Sequence, residues 1–138
     1  ILRRHGALIS GSTALHFLMP SDTWIPNDLD IYVSDTNFPG LLRDLMDPSG
    51  LQLVYASDSS GSGTMSPLPP AAIAKGLRDV RTLYTPSGRR VDVIRSPSTS
   101  PITPLRFFWS TTVINFMTPD AYVCGFPHAT LSRLGVLK

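Results

Sequence analysis

The residues of this chain best suited to chemistry are two carboxylates in one short segment, Asp28 and Asp30 in the sequence Asp-Leu-Asp-Ile-Tyr-Val. Alternate side chains of an extended segment point the same way, so both carboxylates share a face with Tyr32, while the intervening apolar side chains share the other. Aspartate is disfavoured in strands and costly to bury unless it is paired or coordinated. Because hard cations such as magnesium bind carboxylate oxygens, the pattern predicts a divalent-cation site.

A glycine–serine turn precedes these carboxylates in the chain. Gly11 and Ser12 follow the apolar segment 7–10, which predicts a short strand, and residues 12–19 have the apolar spacing of a helix. Free backbone N–H groups and the helix dipole favour an anion at such an N-terminus, and glycine allows close backbone approach. We therefore predict a phosphate site at Gly11 and Ser12. Taken alone, the pair also suits an ordinary turn with Ser12 as the helix N-cap.

A third carboxylate, Asp92, lies between two valines in a later segment. The sequence Pro-Ser-Gly at 86–88 predicts a turn that joins strands 79–85 and 89–96 into a hairpin. A sheet could bring Asp92 beside Asp28 and Asp30. Three such carboxylates can bridge two magnesium ions roughly 3.5–4 Å apart, an arrangement suited to in-line displacement at phosphorus.

Each of these acids also has a simpler interpretation. Asp92 could form an ion pair with Arg90 or Arg81 across the hairpin. Asp28 and Asp30 could both remain solvated at a strand edge that follows an Asx turn. The sequence alone leaves both alternatives open.

Other polar residues give weaker signals. Arg89 and Arg90 suit a solvated hairpin tip, although a contact to phosphate or to an acceptor is the alternative. The three histidines show no metal-ligand spacing and are expected in surface or packing positions. They are His5, His16 and His128.

The remaining segments predict an α+β fold in which helices flank a mixed β-sheet. We expect a strand at 28–33, a helix at 38–46 and a third strand at 51–56. Residues 57–70 are rich in serine, glycine and proline and predict an exposed insertion loop. Residues 105–117 are apolar nearly all round and predict a buried helix, with the aromatic residues Phe107, Phe108, Trp109 and Phe116 in the core.

The overall composition limits the classes of function. A chain of 138 residues with 42% hydrophobic and 16% charged residues predicts a single globular domain over residues 1–138. A net charge of +2 gives no strong nucleic-acid signal, and no apolar run reaches the length of a membrane helix. The single Cys124 excludes an internal disulfide, so we expect an intracellular protein, cytoplasmic or nuclear. The chain does not begin with Met, and we expect it to be a fragment of a longer protein.

In this order, Gly11-Ser12, the strand with Asp28 and Asp30, and the later Asp92 resemble the three-part signature of the polymerase-β-type nucleotidyltransferase superfamily. The sequence around these motifs, with GSTALHFLMP and WIPNDLDIYV, is similar to that of a group of uncharacterised fungal proteins of that superfamily. The resemblance covers residues 7–96 through these motifs and residues 105–130 through general sequence similarity.

The resemblance implies transfer of a nucleoside monophosphate from a nucleoside triphosphate to an acceptor hydroxyl with two magnesium ions. Gly11 and Ser12 would hold the triphosphate, Asp28 and Asp30 would ligate both ions, and Asp92 would ligate the catalytic ion beside the acceptor. The acceptor, a small molecule, a protein or RNA, is not specified.

The alternative is a catalytically inactive domain of the same fold that serves as a nucleotide-binding or protein-interaction module, although the retention of all three acids argues against it.

Overall fold

The computed structural model describes residues 1–55 and 76–137, in which seven strands form one mixed sheet. The strands are β1 (Leu8–Ser10), β2 (Asp28–Val33), β3 (Val54–Tyr55), β4 (Asp79–Tyr84), β5 (Arg90–Arg95), β6 (Asn115–Met117) and β7 (Tyr122–Cys124). The helices are α1 (Leu2–His5), α2 (Gly11–Leu18), α3 (Phe38–Leu45) and α4 (Pro127–Leu131), and short 3-10 helices cover Thr103–Phe107 and Thr111–Val113. The mixed α/β architecture is as predicted. Within the described residues no helix has the length and apolar character needed to cross a membrane.

Strand β2 lies in the middle of the sheet, whose order is β3-β4-β5-β2-β1-β6-β7. It pairs antiparallel with β1 and parallel with β5. In this register Asp30 stands opposite Ser10 on one side and opposite Asp92 on the other. The sheet therefore brings segments that are far apart in sequence to the two sides of Asp30.

Apolar residues cover both faces of the sheet. On one face Ile31, Val33 and Val93 belong to a buried cluster that includes the α3 residues Phe38 and Leu41. On the other face a smaller cluster contains Leu8, Tyr32, Ile94 and Leu105, with Phe116 packed against it. The first three residues of β2 are half-buried and the last three are buried. Its carboxylates thus lie at the accessible end of a strand that is anchored at its other end.

Most local predictions are confirmed. The strand at β1, helix α2, strand β2, helix α3 and the β4–β5 hairpin all form within a residue or two of the expected bounds. At the hairpin turn Gly88 has φ +80, a conformation that glycine adopts without steric cost. The third strand is shorter than predicted and covers only Val54–Tyr55. Residue 56 and the predicted loop at 57–70 lie outside the described residues.

The prediction of a buried helix over residues 105–117 is wrong. The segment instead forms parts of two 3-10 helices and then β6, which pairs antiparallel with β1. A run of β-branched residues at 111–114 disfavours a helix because their side chains lose rotamer freedom there.

The expected burial of all four aromatic residues in this segment is also only partly correct. Trp109 is 63% exposed and Phe107 is 39% exposed, so neither is a core residue. Phe108 and Phe116 are partly buried and pack against the smaller cluster. An apolar composition therefore did not distinguish a buried helix from an irregular segment that buries only some of its side chains.

The packing of α3 against the sheet gives a testable prediction. Leu41 is fully buried, so Leu41→Ala should lower the free energy of unfolding by about 2–5 kcal/mol, because it removes apolar contacts and leaves a cavity. The control is Leu51→Ala, since Leu51 is 52% exposed and its truncation should cost far less. Urea denaturation measures both, and equal losses in the two variants would contradict this packing.

Candidate metal centre

The three carboxylates predicted from the sequence come together in the fold. Asp30 and Asp92 are direct partners across the parallel β2–β5 ladder, and Asp28 lies on the same face of β2 as Asp30. One oxygen from each carboxylate lies within 4.8 Å of the other two. Asp92 is 7% exposed, whereas Asp28 and Asp30 are half-buried. Among the described residues no histidine or cysteine joins a group of this kind.

The proximity of like charges has a clear electrostatic effect on Asp30. Burial, followed by the negative charges of Asp28 and Asp92, raises its pKa to about 7. The Arg90 guanidinium acts in the opposite direction but does not cancel the rise. Because β2 lies between β1 and β5 and Asp30 is half-buried, the interpretation that both β2 acids are solvated at a strand edge is wrong for Asp30. Burial and the same three carboxylates also raise the pKa of the Tyr32 phenol, which keeps its proton.

The partners of Asp92 bear out one of the simpler interpretations. Arg90 forms a two-point ion pair with it, from Nε to Oδ1 at 3.1 Å and from Nη2 to Oδ2 at 2.7 Å. The Thr82 hydroxyl also donates to Oδ1, at 2.7 Å. Arg81 instead donates to Asp79 at 3.0 Å. Because a carboxylate has about four acceptor positions, the contacts from Arg90 and Thr82 leave about one, on Oδ2, for a further ligand.

The glycine–serine turn packs directly against the acids. Strand β1 ends at Ser10, and α2 begins at Gly11 with φ +68. A Cβ atom at Gly11 would lie 2.2 Å from Oδ2 of Asp30, so a larger residue cannot occupy this position without displacing the carboxylate. The Ser12 hydroxyl donates to Oδ1 of Asp28 over a long 3.5 Å. The N-cap residue is Ser10, so the N-cap interpretation of Ser12 is wrong.

Two further contacts near the acids were not predicted from the sequence. Thr82 stands directly opposite Asp92 in the β4–β5 ladder. The length of the hairpin turn could have predicted this pair, because it sets which residues of β4 and β5 face each other. Thr13 donates its hydroxyl to the Asp28 carbonyl oxygen at 3.0 Å, which ties α2 to the start of β2.

The donor set fits a divalent cation that prefers oxygen ligands. Three carboxylates converge, and the absence of a side chain at Gly11 lets the Asp30 carboxylate take its place in the cluster. Oxygen ligands without sulfur or imidazole are typical of magnesium, calcium and manganese sites. The residues present can therefore hold such an ion.

Comparisons with known proteins give no match to this chain among protein-family models, curated proteins or solved structures. The resemblance to the polymerase-β-type superfamily therefore depends on the three sequence motifs alone. The structure adds a separate observation, which is the proximity in space of Gly11 and the three carboxylates. The motifs describe only the order of these residues along the chain.

The close approach of Gly11 to Asp30 gives a prediction with a matched control. Gly11→Ala places a methyl group against the Asp30 carboxylate at a positive φ, and it should destabilise the fold by more than the roughly 1–2 kcal/mol expected of backbone strain alone. Gly88→Ala carries the same kind of strain at φ +80 with no atom within 4 Å of the new Cβ. Thermal unfolding of both variants separates the two effects, and equal losses would mean that the Asp30 contact contributes nothing.

The raised pKa of Asp30 predicts a dependence of stability on pH. The native state of the metal-free protein holds the Asp30 proton up to about pH 7, whereas the unfolded chain releases it near the ordinary value of 3.8. The native state thus binds more protons between these values, so the contribution of Asp30 to stability falls as the pH rises through them. Asp30→Asn should therefore lose less stability than the wild type between about pH 5 and pH 8. Urea denaturation in a chelator tests this, and parallel pH profiles would contradict the raised pKa.

Proposed function

We propose that this chain is the core of a metal-dependent nucleotidyltransferase, which moves a nucleoside monophosphate from a nucleoside triphosphate to an acceptor hydroxyl. The observation that carries the proposal is the direct pairing of Asp30 with Asp92 across β2 and β5, with Asp28 completing the cluster. The contact of the Gly11 backbone with Asp30 adds support, because it brings the proposed phosphate site beside the proposed cation ligands.

In this proposal the carboxylates divide the binding of two magnesium ions. Asp28 and Asp30 would ligate both ions, and Asp92 would ligate the ion nearer the acceptor. When bound, the ions neutralise phosphate charge and polarise the reacting phosphorus. The first backbone N–H groups of α2, at Gly11 and Ser12, bind the triphosphate, since they point out of the helix N-terminus without intrahelical partners.

The proposed reaction exchanges one phosphorus–oxygen bond for another. The acceptor hydroxyl oxygen forms a bond to the α-phosphorus while the bond from that phosphorus to the bridging β-phosphate oxygen breaks. Pyrophosphate leaves with the electron pair, and the hydroxyl proton passes to a carboxylate oxygen of the cluster. The sheet contributes by fixing the carboxylates before substrate arrives, so that little reorganisation is needed during the reaction.

One observation favours the second candidate, a catalytically inactive domain that binds a nucleotide or a protein. The ion pair with Arg90 already neutralises Asp92 and occupies both of its oxygens. Such an ion pair is expected if the role of Asp92 is structural, namely to hold the Arg90 side chain in place. The two candidates differ in whether the wild-type protein transfers a nucleotide at all.

Substitution of the acids tests the proposed function. Asp92→Asn should retain magnesium-dependent nucleotide binding but lower transfer from an α-labelled nucleoside triphosphate by ~100-fold or more, because it weakens a ligand needed mainly during the reaction. Asp30→Ala should lose both, since it removes a ligand of both ions. Calorimetry measures the binding, and label transfer to small molecules, protein or RNA measures the reaction.

The control is Asp120→Asn, which removes the same charge from an exposed ion pair with Arg3 and should change neither property. Transfer that is unchanged in Asp92→Asn would refute the role of Asp92. A wild-type protein that binds no nucleotide with magnesium would refute the proposal as a whole. Nucleotide or protein binding that survives in Asp30→Ala without any transfer by the wild type would establish the inactive module.

A further inference from the structure

A cavity of about 300 Å³ lies where β2 and β5 begin, next to the carboxylate cluster. Asp28 belongs to both, because it is one of the three acids and also part of the cavity wall. The walls come from the start of α2, the loop before β2, and the turn of the β4–β5 hairpin. The lining residues are Thr13, Pro26, Asn27, Asp28, Leu29, Thr85, Arg89, Arg90 and Val91.

The wall chemistry of this cavity suits a molecule with an apolar body. Pro26 and Leu29 supply apolar surface, with a small contribution from Val91, which is 4% exposed, and the other six lining residues are polar or charged. Ligand sites of this type commonly bind a ring through the apolar wall and orient it through a few polar contacts. The volume is large enough for one small molecule or for the end of a polymer.

Arg89 gives the cavity a positive charge that forms no ion pair with the described residues. Its main-chain N–H donates to the Thr85 hydroxyl at 2.9 Å, which fixes the turn. Its guanidinium, by contrast, has no hydrogen bond or ion pair with the residues in 1–55 and 76–137. Arg90 is different, because its guanidinium is already committed to Asp92. An arginine with free donors beside an apolar wall is suited to bind a phosphate group.

We infer that this cavity binds the acceptor of the reaction, a phosphorylated small molecule with an apolar or ring-shaped body. Arg89 holds its phosphate, and Pro26, Leu29 and Val91 contact its body. The shared wall at Asp28 brings the acceptor hydroxyl to the carboxylate cluster. The acceptor role rests on the proposed function, whereas the binding of a phosphorylated molecule does not.

Two simple probes, phenyl phosphate and inorganic phosphate, test the binding by calorimetry in a chelator and without nucleotide. Phenyl phosphate should bind about tenfold more tightly than inorganic phosphate, because its ring covers apolar wall. Arg89→Gln should weaken phenyl phosphate binding by roughly tenfold, because it removes a charge-assisted contact. Arg89→Lys should lose less, since it keeps the charge.

The matched control is Arg43→Gln, which removes one positive charge from an exposed position on α3 and should leave probe binding unchanged. Equal weakening in Arg43→Gln and Arg89→Gln would show a general charge effect and overturn the site. Absence of phenyl phosphate binding to the wild type would also overturn it. Unfolding midpoints of the Arg89 variants establish that each protein is folded.

Two further measurements separate this inference from the proposed function. Asp30→Asn, which should impair cation binding, should still bind phenyl phosphate in the chelator, so the two proposals can fail independently. In a transfer assay phenyl phosphate should lower the rate without raising the KM for the nucleoside triphosphate. Competition with the nucleoside triphosphate would overturn the assignment of the cavity to the acceptor.

Discussion

Mutual repulsion among three carboxylates that the β2–β5 ladder holds together is the constraint on which the rest of this structure depends. The backbone register, and not any attraction between the side chains, sets Asp30 beside Asp92. Burial and like charge then raise the pKa of Asp30 to about 7, and the contacts that offset the repulsion come from Arg90, Thr82 and Ser12. The sheet must therefore be stable enough to keep the acids together despite an unfavourable local interaction.

That stability comes from the opposite ends of the same strands. Val33, Val93 and Ile94 are buried between α3 on one face and the segment around Leu105 on the other. The accessible start of β2 and the buried Asp92 of β5 adjoin this packed base, so the carboxylates have little freedom to move apart. Gly11 completes the arrangement, because only a residue without a side chain allows α2 to start against Asp30. Rigid placement of charged groups of this kind is what electrostatic catalysis requires.

Local patterns predicted the parts of the fold that depend on local physics. The alternation along β2 and the turn residues at 86–88 are short-range signals, and β2 and the hairpin formed as expected. The parallel register between β2 and β5 is a long-range property, so the distance between Asp30 and Asp92 could not be read from the sequence. The segment 105–117 failed because its apolar composition suits a helix and a strand equally. The Arg90 ion pair was an open alternative, since residues two apart on a strand share a face. Arg81 stands opposite Val93 and therefore on the other face of the sheet from Asp92, which depends on the hairpin register.

The parallel pairing of β2 with β5 has a consequence for the free energy of the whole chain. The two strands belong to distant parts of the sequence, so the three carboxylates converge only in the folded state. A cation held by all of them would act as a reversible cross-link that the unfolded chain cannot form. Its concentration would then set how often the protein opens, because a ligand of the native state alone shifts the folding equilibrium by mass action. The free energy of unfolding would then increase with the concentration of the free cation.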